Sequence, residues 1–204
     1  MRLWPHQAAG VAKYWEISEP QTRVVITSPT GGGKTQMMIE IIREAIRRHW
    51  KVAIYSPRVL ITEKMENDLY AAKIYAGVRA AGFDQALLRD VQICSIWTER
   101  SRVIERKSRE LHDADLVIVD EAHMPRGATV EEIHGMHLED GARILGFTAT
   151  PVGIGHLYDR LIVAGTNAQL RDCGAHVPCI TYGCAEADMK KFRFNSETGD
   201  YSEN

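Results

Sequence analysis

The sequence predicts an α/β fold, a three-layer α/β/α sandwich with a mainly parallel central sheet. Short runs rich in β-branched residues alternate with longer stretches of helical apolar spacing, an order typical of parallel strands joined by right-handed helical crossovers. The runs lack polar alternation, as expected of strands covered on both faces. The predicted strands are Val24–Thr27, Val52–Tyr55, Val91–Ser95, Leu116–Asp120 and Ile144–Phe147, and the predicted helices are Gln7–Ile17, Thr35–Arg48, Leu60–Ala72, Thr98–Leu111 and Val130–Met136.

Length and charge limit the possible architectures and partners. The chain has 204 residues, of which 45% are hydrophobic, and this suffices for one hydrophobic core and a single domain. The formal net charge of −2 excludes a uniformly basic coat for nucleic acid. Any nucleic-acid track on this protein must therefore be local.

A glycine-rich loop with the pattern of a phosphate-binding site follows the first predicted strand. It contains three successive glycines, which let consecutive N–H groups turn toward phosphate oxygens. Lys34 is expected to reach the β and γ phosphates, and the Thr35 hydroxyl to face a magnesium ion. Ser28 stands where the usual pattern has its first glycine, but the predicted strand–loop–helix order supplies the context that the motif requires. The predicted nucleotide-binding residues of the loop are Thr30, Gly31, Gly32, Gly33, Lys34 and Thr35.

A second motif stands at the end of the predicted strand Leu116–Asp120. The apolar run ends in two carboxylates, of which Asp120 is expected to approach the metal and Glu121 the attacking water. Ligands of open parallel sheets bind at the carboxyl ends of the strands, so the glycine-rich loop and this acidic pair are expected to meet. Together the two motifs predict an enzyme that hydrolyses a nucleoside triphosphate with the help of Mg²⁺.

Four further segments indicate the class of enzyme. They are Leu3-Trp4-Pro5-His6-Gln7, Tyr55-Ser56-Pro57-Arg58, Gln92-Ile93-Cys94-Ser95-Ile96-Trp97-Thr98 and Gly146-Phe147-Thr148-Ala149-Thr150-Pro151. With these segments in this order, residues 2–151 resemble the N-terminal RecA-like domain of superfamily 2 DEAD/DEAH-box helicases and translocases. The segment that begins at Tyr158 is similar to the connector of phage and prophage members. The resemblance implies a RecA-like P-loop fold, ATP and Mg²⁺ as cofactors, and nucleic acid as partner, with DNA favoured over RNA.

The resemblance also implies a role for each matching residue. Gln7 would recognise the edge of adenine. Thr35 and Asp120 would bind the magnesium ion, and Glu121 would be the general base. The implied catalytic residues are Lys34, Asp120, Glu121 and His123, the implied coupling residues are Thr148 and Thr150, and the implied nucleic-acid contacts are Ser56, Pro57, Arg58, Ser95 and Thr98.

Three aromatic residues depart from the family pattern. Trp4 and His6 replace the arginine and tyrosine that commonly flank the motif around Gln7, so recognition of adenine is expected to be altered or less selective. Trp97 occupies a place often held by glutamine. Its ring either packs beneath the loop or stacks on a base, and the sequence leaves both interpretations open.

The resemblance further implies a second RecA-like domain of the same parent chain. P-loop enzymes commonly use an arginine finger, but no arginine of this chain belongs to a motif that assigns it that role. We therefore expect residues 1–165 to form the ATP-binding helicase domain and residues 166–204 a connector, in a fragment that is weakly active alone. The polar segment Asp188–Asn204 is expected to be a linker or a frayed terminus.

Other functions remain open. The fold could serve as a nucleotide-dependent module that binds or regulates nucleic acid with little hydrolysis, or as the domain of an RNA helicase. The presence of Glu121 favours an enzyme, because a pure binding module needs no positioned base beside its magnesium ligand. A small-molecule kinase is a weaker alternative, since it would not account for the segments around Gln7 and Thr148.

Two clusters of reactive or charged residues are better explained by structural roles. Cys173, His176, Cys179 and Cys184 lie close together, but a paired CxxC spacing is missing, and we favour buried thiols over a zinc site. The basic residues between Arg100 and Arg109 alternate with glutamates and predict an exposed helix of mixed charge.

His134 and His137 are expected to be core or surface residues of a helix rather than metal ligands.

The cysteines also bear on the location of the protein. The four cysteines without a signal peptide, and the lack of an apolar segment of membrane-spanning length, predict a cytoplasmic protein without a membrane partner, in the host cytoplasm if a phage encodes it.

Overall fold

The computed structural model describes residues 3–19, 21–57, 59–83, 85–124, 128–177, 192–195 and 200–203. Arg58, Cys179 and Cys184 lie outside these ranges. The contact of Arg58 with nucleic acid and the interpretation of the cysteine cluster therefore stay predictions.

Within the described residues, seven parallel strands form the central sheet. They are β1 (Val24–Thr27), β2 (Val52–Ser56), β3 (Gly77–Arg79), β4 (Val91–Ser95), β5 (Leu116–Val119), β6 (Arg143–Thr148) and β7 (Arg160–Val163). Their order is β3-β4-β2-β5-β6-β1-β7, and every pairing is parallel. β6 thus lies between β1, which leads into the glycine-rich loop, and β5, which leads into the acidic pair. This order brings the ends of three motif strands to one edge of the sheet.

Helices cover both faces of the sheet. In the described part of the chain they are α1 (Pro5–Trp15), α2 (Lys34–Arg47), α3 (Val59–Ala71), α4 (Ile96–Glu99), α5 (Ala128–Glu139) and α6 (Asn167–Asp172). No helix among these residues has the length and apolar character needed to cross a bilayer.

Two apolar cores separate the helices from the sheet. On one face, Tyr14, Met37 and Leu69 of α1, α2 and α3 pack into a core with alternate strand residues. On the other face, Ile133 of α5 and Tyr158 belong to a second core built on the remaining strand residues. The predicted three-layer sandwich is confirmed.

The predicted helix Thr98–Leu111 is wrong. α4 contains only Ile96–Glu99, and a π-helical turn over Arg100–Glu105 follows it. Glu99 is fully buried and forms an ion pair with Arg79 of β3 at 3.0 Å. This tertiary contact fixes the segment against the sheet edge, so the charge pattern does not produce the long exposed helix that we expected.

The sequence patterns did not indicate the two edge strands. β3 has only three residues. β7 follows Asp159 and has two exposed apolar residues, Leu161 and Val163, on either side of the buried Ile162. Short edge strands carry weak sequence signals because they contain few residues and lack the continuous buried apolar run of a central strand.

The expectation of a linker or frayed terminus over Asp188–Asn204 is also wrong where the structure describes this segment. β8 (Phe192–Asn195) and β9 (Asp200–Glu203) pair as antiparallel strands, with Asn195 opposite Asp200. The alternating aromatic residues of β8 were the local signal for a strand.

Candidate active site

The glycine-rich loop takes its shape from two glycines in a left-handed conformation. Gly31 has a φ of 80° and Gly33 a φ of 76°, values that cost other residues roughly 1–2 kcal/mol. Gly33 directly precedes α2, whose first N–H groups have no acceptor within the helix. A methyl group at Gly33 would lie 2.1 Å from Gln7 Nε2. Both the backbone and the packing therefore require glycine here.

Gln7 supports this loop from α1. Its Nε2 donates to the Gly32 carbonyl at 3.1 Å, and its Oε1 accepts a hydrogen bond from the Trp4 N–H at 2.9 Å. His6 Nε2 lies 3.1 Å from the same Gly32 carbonyl. Both polar ends of the Gln7 amide are thus engaged by the protein itself, and recognition of adenine by Gln7 stays a prediction.

A second support comes from the residues after α6, and the sequence analysis missed it. His176 Nε2 lies 2.6 Å from the Thr30 carbonyl. The N–H groups of Ala175 and His176 both donate to the Leu170 carbonyl, which turns the chain back after α6. Residues that we assigned to a connector therefore contact the loop. Since His176 bonds a main-chain carbonyl, no sequence pattern marks the contact.

The loop and the acidic pair line one cavity of about 370 Å³. A third wall of this cavity comes from α3. Gly32 is not among the described lining residues. It lies against Ser28, whose Oγ would be 2.1 Å from a methyl group on Gly32. The lining residues are Thr30, Gly31, Gly33, Lys34 and Thr35 of the loop, Asp120 and Glu121 of the acidic pair, and Ile61, Lys64, Met65 and Asp68 of α3.

The electrostatics of the cavity centre on Asp120. Burial raises the pKa of its carboxyl above the ordinary value, whereas the Glu121 N–H, which donates to Asp120 Oδ1 at 2.9 Å, lowers that pKa. The ammonium groups of Lys34 and Lys64 also lower it. Neither lysine forms an ion pair with another residue that the structure describes. Both positive charges are thus available to an anionic ligand.

Glu121 is held beside Asp120 by a strained turn. Its φ of 47° is left-handed, a conformation that costs a non-glycine residue roughly 1–3 kcal/mol. The Ala122 N–H donates to the Phe147 carbonyl at 2.8 Å, and the Met124 N–H donates to the Glu121 carbonyl at 2.8 Å. These two hydrogen bonds fix the turn that keeps Glu121 at the cavity.

Thr148 at the end of β6 joins the three motifs. Its Oγ1 lies 2.9 Å from His123 Nδ1 and accepts a hydrogen bond from the Thr150 N–H at 3.0 Å. Its carbonyl accepts a hydrogen bond from the Ser28 N–H at 3.1 Å. His123 Nδ1 also lies 3.5 Å from Glu121 Oε2. In contrast, Thr150 contributes its main-chain N–H, and the structure gives its hydroxyl no hydrogen bond with any described residue.

The described residues predicted to contact nucleic acid lie together at the ends of β2 and β4. Ser56 and Ser95 are register partners, but the two residues are only 1% and 8% exposed. Thr98 Oγ1 accepts a hydrogen bond from the Ala81 N–H at 3.3 Å. Pro57 is half-buried. Direct contact of a phosphate with either serine hydroxyl would therefore require a local shift.

Trp97 is the accessible side chain beside these residues. Trp97 is 63% exposed, so the interpretation that its ring packs beneath the loop is wrong. Its neighbour Ile96 is buried in the core. The buried ion pair between Arg79 and Glu99 holds the other end of α4. Trp97 is thus an exposed aromatic ring on a firmly anchored turn.

The two histidines of α5 belong to the core. His134 and His137 are buried, and His137 Nε2 lies 2.8 Å from the Tyr55 hydroxyl oxygen. Burial lowers the pKa of each imidazole to about 4. Among the residues that the structure describes, no group of three or more His, Cys, Asp or Glu side chains could hold a metal ion by itself.

Several basic residues outside the cavity form contacts within the domain. At the end of α2, Arg47 Nη2 lies 3.0 Å from Glu44 Oε2. Arg102 and Arg109 both donate to Gln85 Oε1, at 3.2 and 2.6 Å. The contacts of Arg102 and Arg109 favour the structural role that the sequence analysis assigned to the basic residues between Arg100 and Arg109.

Comparison with known proteins gives a family and a fold. A family model described as "Type III restriction enzyme, res subunit" matches residues 1–153. The structure is similar to the Pyrococcus furiosus Hef helicase domain, with a TM-score of 0.67 and 16% identity over 84% of this chain. It is also similar to the UvsW helicase from bacteriophage T4, with a TM-score of 0.64 and 14% identity over 80% of this chain. A comparison with curated proteins found no match.

The structural likeness concerns the fold. This chain spans 39% of the Hef chain and 60% of the UvsW chain. Together with the family match, these findings confirm the expectation of a RecA-like domain of the superfamily 2 helicase type.

Proposed function

The chain belongs to the family of type III restriction enzyme res subunits, and from this we propose that it binds ATP and Mg²⁺ as the motor domain of a DNA helicase or translocase. The observation that carries the proposal is that the glycine-rich loop and the acidic pair line the same cavity. ATP hydrolysis would drive movement on nucleic acid.

The residues of the cavity fit a magnesium-bound triphosphate. The left-handed Gly31 and Gly33 turn the loop at this cavity, and the first N–H groups of α2 follow directly. Asp120 and Thr35 offer the oxygen ligands that Mg²⁺ prefers, and proteins commonly hold this ion by one or two carboxylates together with substrate phosphates. When bound, Mg²⁺ neutralises charge on the phosphate oxygens.

The chain's own residues supply the remaining chemistry. Lys34 places a positive charge at the transferred phosphoryl group and stabilises the charge that develops there. Glu121 orients the attacking water and accepts its proton, and the strained turn keeps its carboxylate beside Asp120. His123 and Thr148 link this carboxylate to the ends of β6 and β1, so that the state of the nucleotide influences the rest of the sheet edge.

The nucleic-acid track would run along the ends of β2 and β4. Ser56, Pro57, Ser95 and Thr98 lie there, and the exposed ring of Trp97 offers a surface on which a base can stack. Stacking tolerates any base, as a motor that moves along a strand requires. We favour DNA over RNA on the resemblance to phage and prophage helicases.

A second RecA-like domain of the parent chain would complete the motor. No arginine occurs among the described residues that line the cavity, and an arginine finger contributes roughly 10³–10⁵ in rate. Residues 1–165 would form the first motor domain, and residues 166–204 would lead to the second. This also supports an alternative, a nucleotide-dependent binding or regulatory module, because the described cavity alone lacks that finger.

Nucleic-acid-stimulated ATPase activity tests the proposal. The parent protein is assayed at one salt concentration with single-stranded DNA, duplex DNA and RNA, since salt alone changes apparent affinity steeply. We expect stimulation by DNA and a decrease of roughly 100-fold or more in Glu121→Gln, as for loss of a general base. Glu63→Gln, an exposed glutamate of α3 away from the cavity lining, is the control. Nucleotide binding without hydrolysis in the parent would favour the regulatory module.

A further inference from the structure

One helical face of α3 forms a wall of the nucleotide cavity. Ile61, Lys64, Met65 and Asp68 all line it, and their spacing of three, four and seven residues places them on one side of a helix. Met65 is buried, whereas Lys64 is exposed. The apolar residues of this face therefore pack the helix, and Lys64 carries a charge into the cavity.

Lys64 lines the same cavity as Asp120 and Glu121 of the acidic pair and as Lys34 of the glycine-rich loop. Lys64 forms no ion pair with any residue of the described ranges, although Asp68 stands one turn further along the same helix. The group therefore keeps its charge available for a ligand.

The negative charge of the cavity lining and of a triphosphate would be better neutralised by a second cation beside Lys34. Its described lining contains two lysines, Lys34 and Lys64, and three carboxylates, Asp68, Asp120 and Glu121. A nucleoside triphosphate brings further negative charge, part of which Mg²⁺ neutralises. With Lys34 as the single cation, the protein's own charges would oppose binding of the terminal phosphate.

We propose that Lys64 is a second phosphate-binding residue, which contacts the terminal phosphate of the bound triphosphate from the α3 wall of the cavity. The inference rests on the proposed function and adds to it a residue outside the glycine-rich loop and the acidic pair. A lysine is suited to this place because its flexible stem carries a point charge that adjusts to a phosphate oxygen. Lys64 distinguishes ATP from ADP, since ADP lacks the phosphate that it contacts.

The test compares ATP and ADP affinities of this chain in the presence of Mg²⁺. We use a non-hydrolysable ATP analogue and ADP, and we measure binding by calorimetry for the wild type, Lys64→Gln, Lys64→Arg and Lys13→Gln. Lys13 is an exposed lysine of α1 that does not line the cavity, and it is the matched control. Circular dichroism and thermal unfolding verify that each variant is folded.

Lys64→Gln is expected to weaken binding of the ATP analogue roughly five- to tenfold, as for loss of one partly exposed charge-assisted contact. Binding of ADP should change less than about twofold. Lys64→Arg should retain most of the preference for the triphosphate, and Lys13→Gln should match the wild type. Equal affinities of Lys64→Gln and the wild type for the ATP analogue, or an equal loss for ATP analogue and ADP, would overturn the inference.

Lys34→Ala separates this inference from the proposed function. If Lys34→Ala binds both nucleotides as the wild type does, the proposed function fails. If Lys34→Ala loses binding and Lys64→Gln retains it, the inference about Lys64 fails alone. A loss of DNA affinity in Lys64→Gln without a change in ATP affinity would assign Lys64 to the nucleic-acid track and would also overturn the inference.

Discussion

His123 Nδ1 lies 2.9 Å from Thr148 Oγ1, and this contact joins the turn after β5 to the end of β6. The same histidine nitrogen lies 3.5 Å from the Glu121 carboxylate, and the Thr148 carbonyl accepts a hydrogen bond from the Ser28 N–H. The candidate general base and the start of the glycine-rich loop are therefore connected through one threonine.

Removal of the contact between His123 and Thr148 should lower the DNA-stimulated ATPase activity and leave the affinity for ATP nearly unchanged. His123→Ala and Thr148→Val are expected to leave the Mg²⁺-ATP affinity within about threefold of the wild type, because neither residue is among the described cavity lining. Each substitution should reduce the DNA-stimulated ATPase activity of the parent roughly tenfold or more. The double variant should lose no more than the single variants, since both remove the same contact. His156→Ala, a partly exposed histidine outside the contact, is the control. Additive losses in the double variant would show that the two residues act independently.

The Arg79–Glu99 pair should stabilise the domain far more than an exposed ion pair of the same segment. Glu99→Gln leaves the buried Arg79 guanidinium without a charged partner and should lower the free energy of unfolding by roughly 3–5 kcal/mol. Glu105→Gln breaks the exposed contact with Arg100, also 3.0 Å long, and should cost less than about 1 kcal/mol. Urea denaturation measures both. Equal effects of the two substitutions would contradict the importance of burial here.

Most features of the structure that the sequence did not predict are tertiary contacts. The loop ending in Lys34 and the acidic pair at Asp120 could be predicted because each is a local pattern that follows a buried strand. Glu99 looked like one more charge on an exposed helix, since its partner Arg79 belongs to an edge strand that the sequence did not indicate. The local sequence pattern therefore could not predict the Arg79–Glu99 ion pair.

The hydrogen bonds that hold the glycine-rich loop could not be predicted for the same reason. Recognition of adenine by Gln7 stays a prediction, and the sequence did not indicate that its amide also bonds the Gly32 carbonyl and the Trp4 N–H. His176 was considered only as part of a cysteine cluster, and it lies 2.6 Å from the Thr30 carbonyl. Hydrogen bonds to main-chain carbonyls place few demands on the neighbouring side chains, so the sequence carries little trace of them.

Trp97 should contribute to the affinity for single-stranded DNA. Trp97→Ala removes the exposed ring and is expected to weaken binding by about 1–3 kcal/mol, the range for loss of one stacked base. Tyr70→Ala removes another exposed aromatic side chain, on α3, and should leave the affinity unchanged. Fluorescence anisotropy with a labelled oligonucleotide at fixed salt measures both. Equal affinities for Trp97→Ala and the wild type would place the track elsewhere.

The buried histidines should make the domain less stable in mild acid. Burial lowers the pKa of His134 and His137 from about 6.5 to about 4, so the unfolded chain binds protons that the folded chain does not. Their contribution to stability is therefore complete above pH 6.5 and is lost as the pH falls toward 4, by roughly 1–2 kcal/mol per histidine between pH 7 and pH 5.

Urea denaturation at pH 7 and pH 5 tests this dependence. His134→Leu should reduce the loss of stability between the two pH values, because its ring nitrogens are buried and have no hydrogen-bond partner among the described residues. The more exposed His156 serves as the control through His156→Leu, which should leave the loss unchanged. A loss in His134→Leu that equals or exceeds that of the wild type would contradict the assigned direction of the pKa shift.

The most direct test of a shared site for the loop and the acidic pair is the affinity for ATP with and without Mg²⁺, measured by calorimetry on this chain. The wild type should bind ATP more tightly with Mg²⁺. Lys34→Ala should lose roughly tenfold or more in both conditions, and Asp120→Asn should lose the benefit of Mg²⁺ alone. Binding of Mg²⁺-ATP by both variants at wild-type affinity would contradict the account.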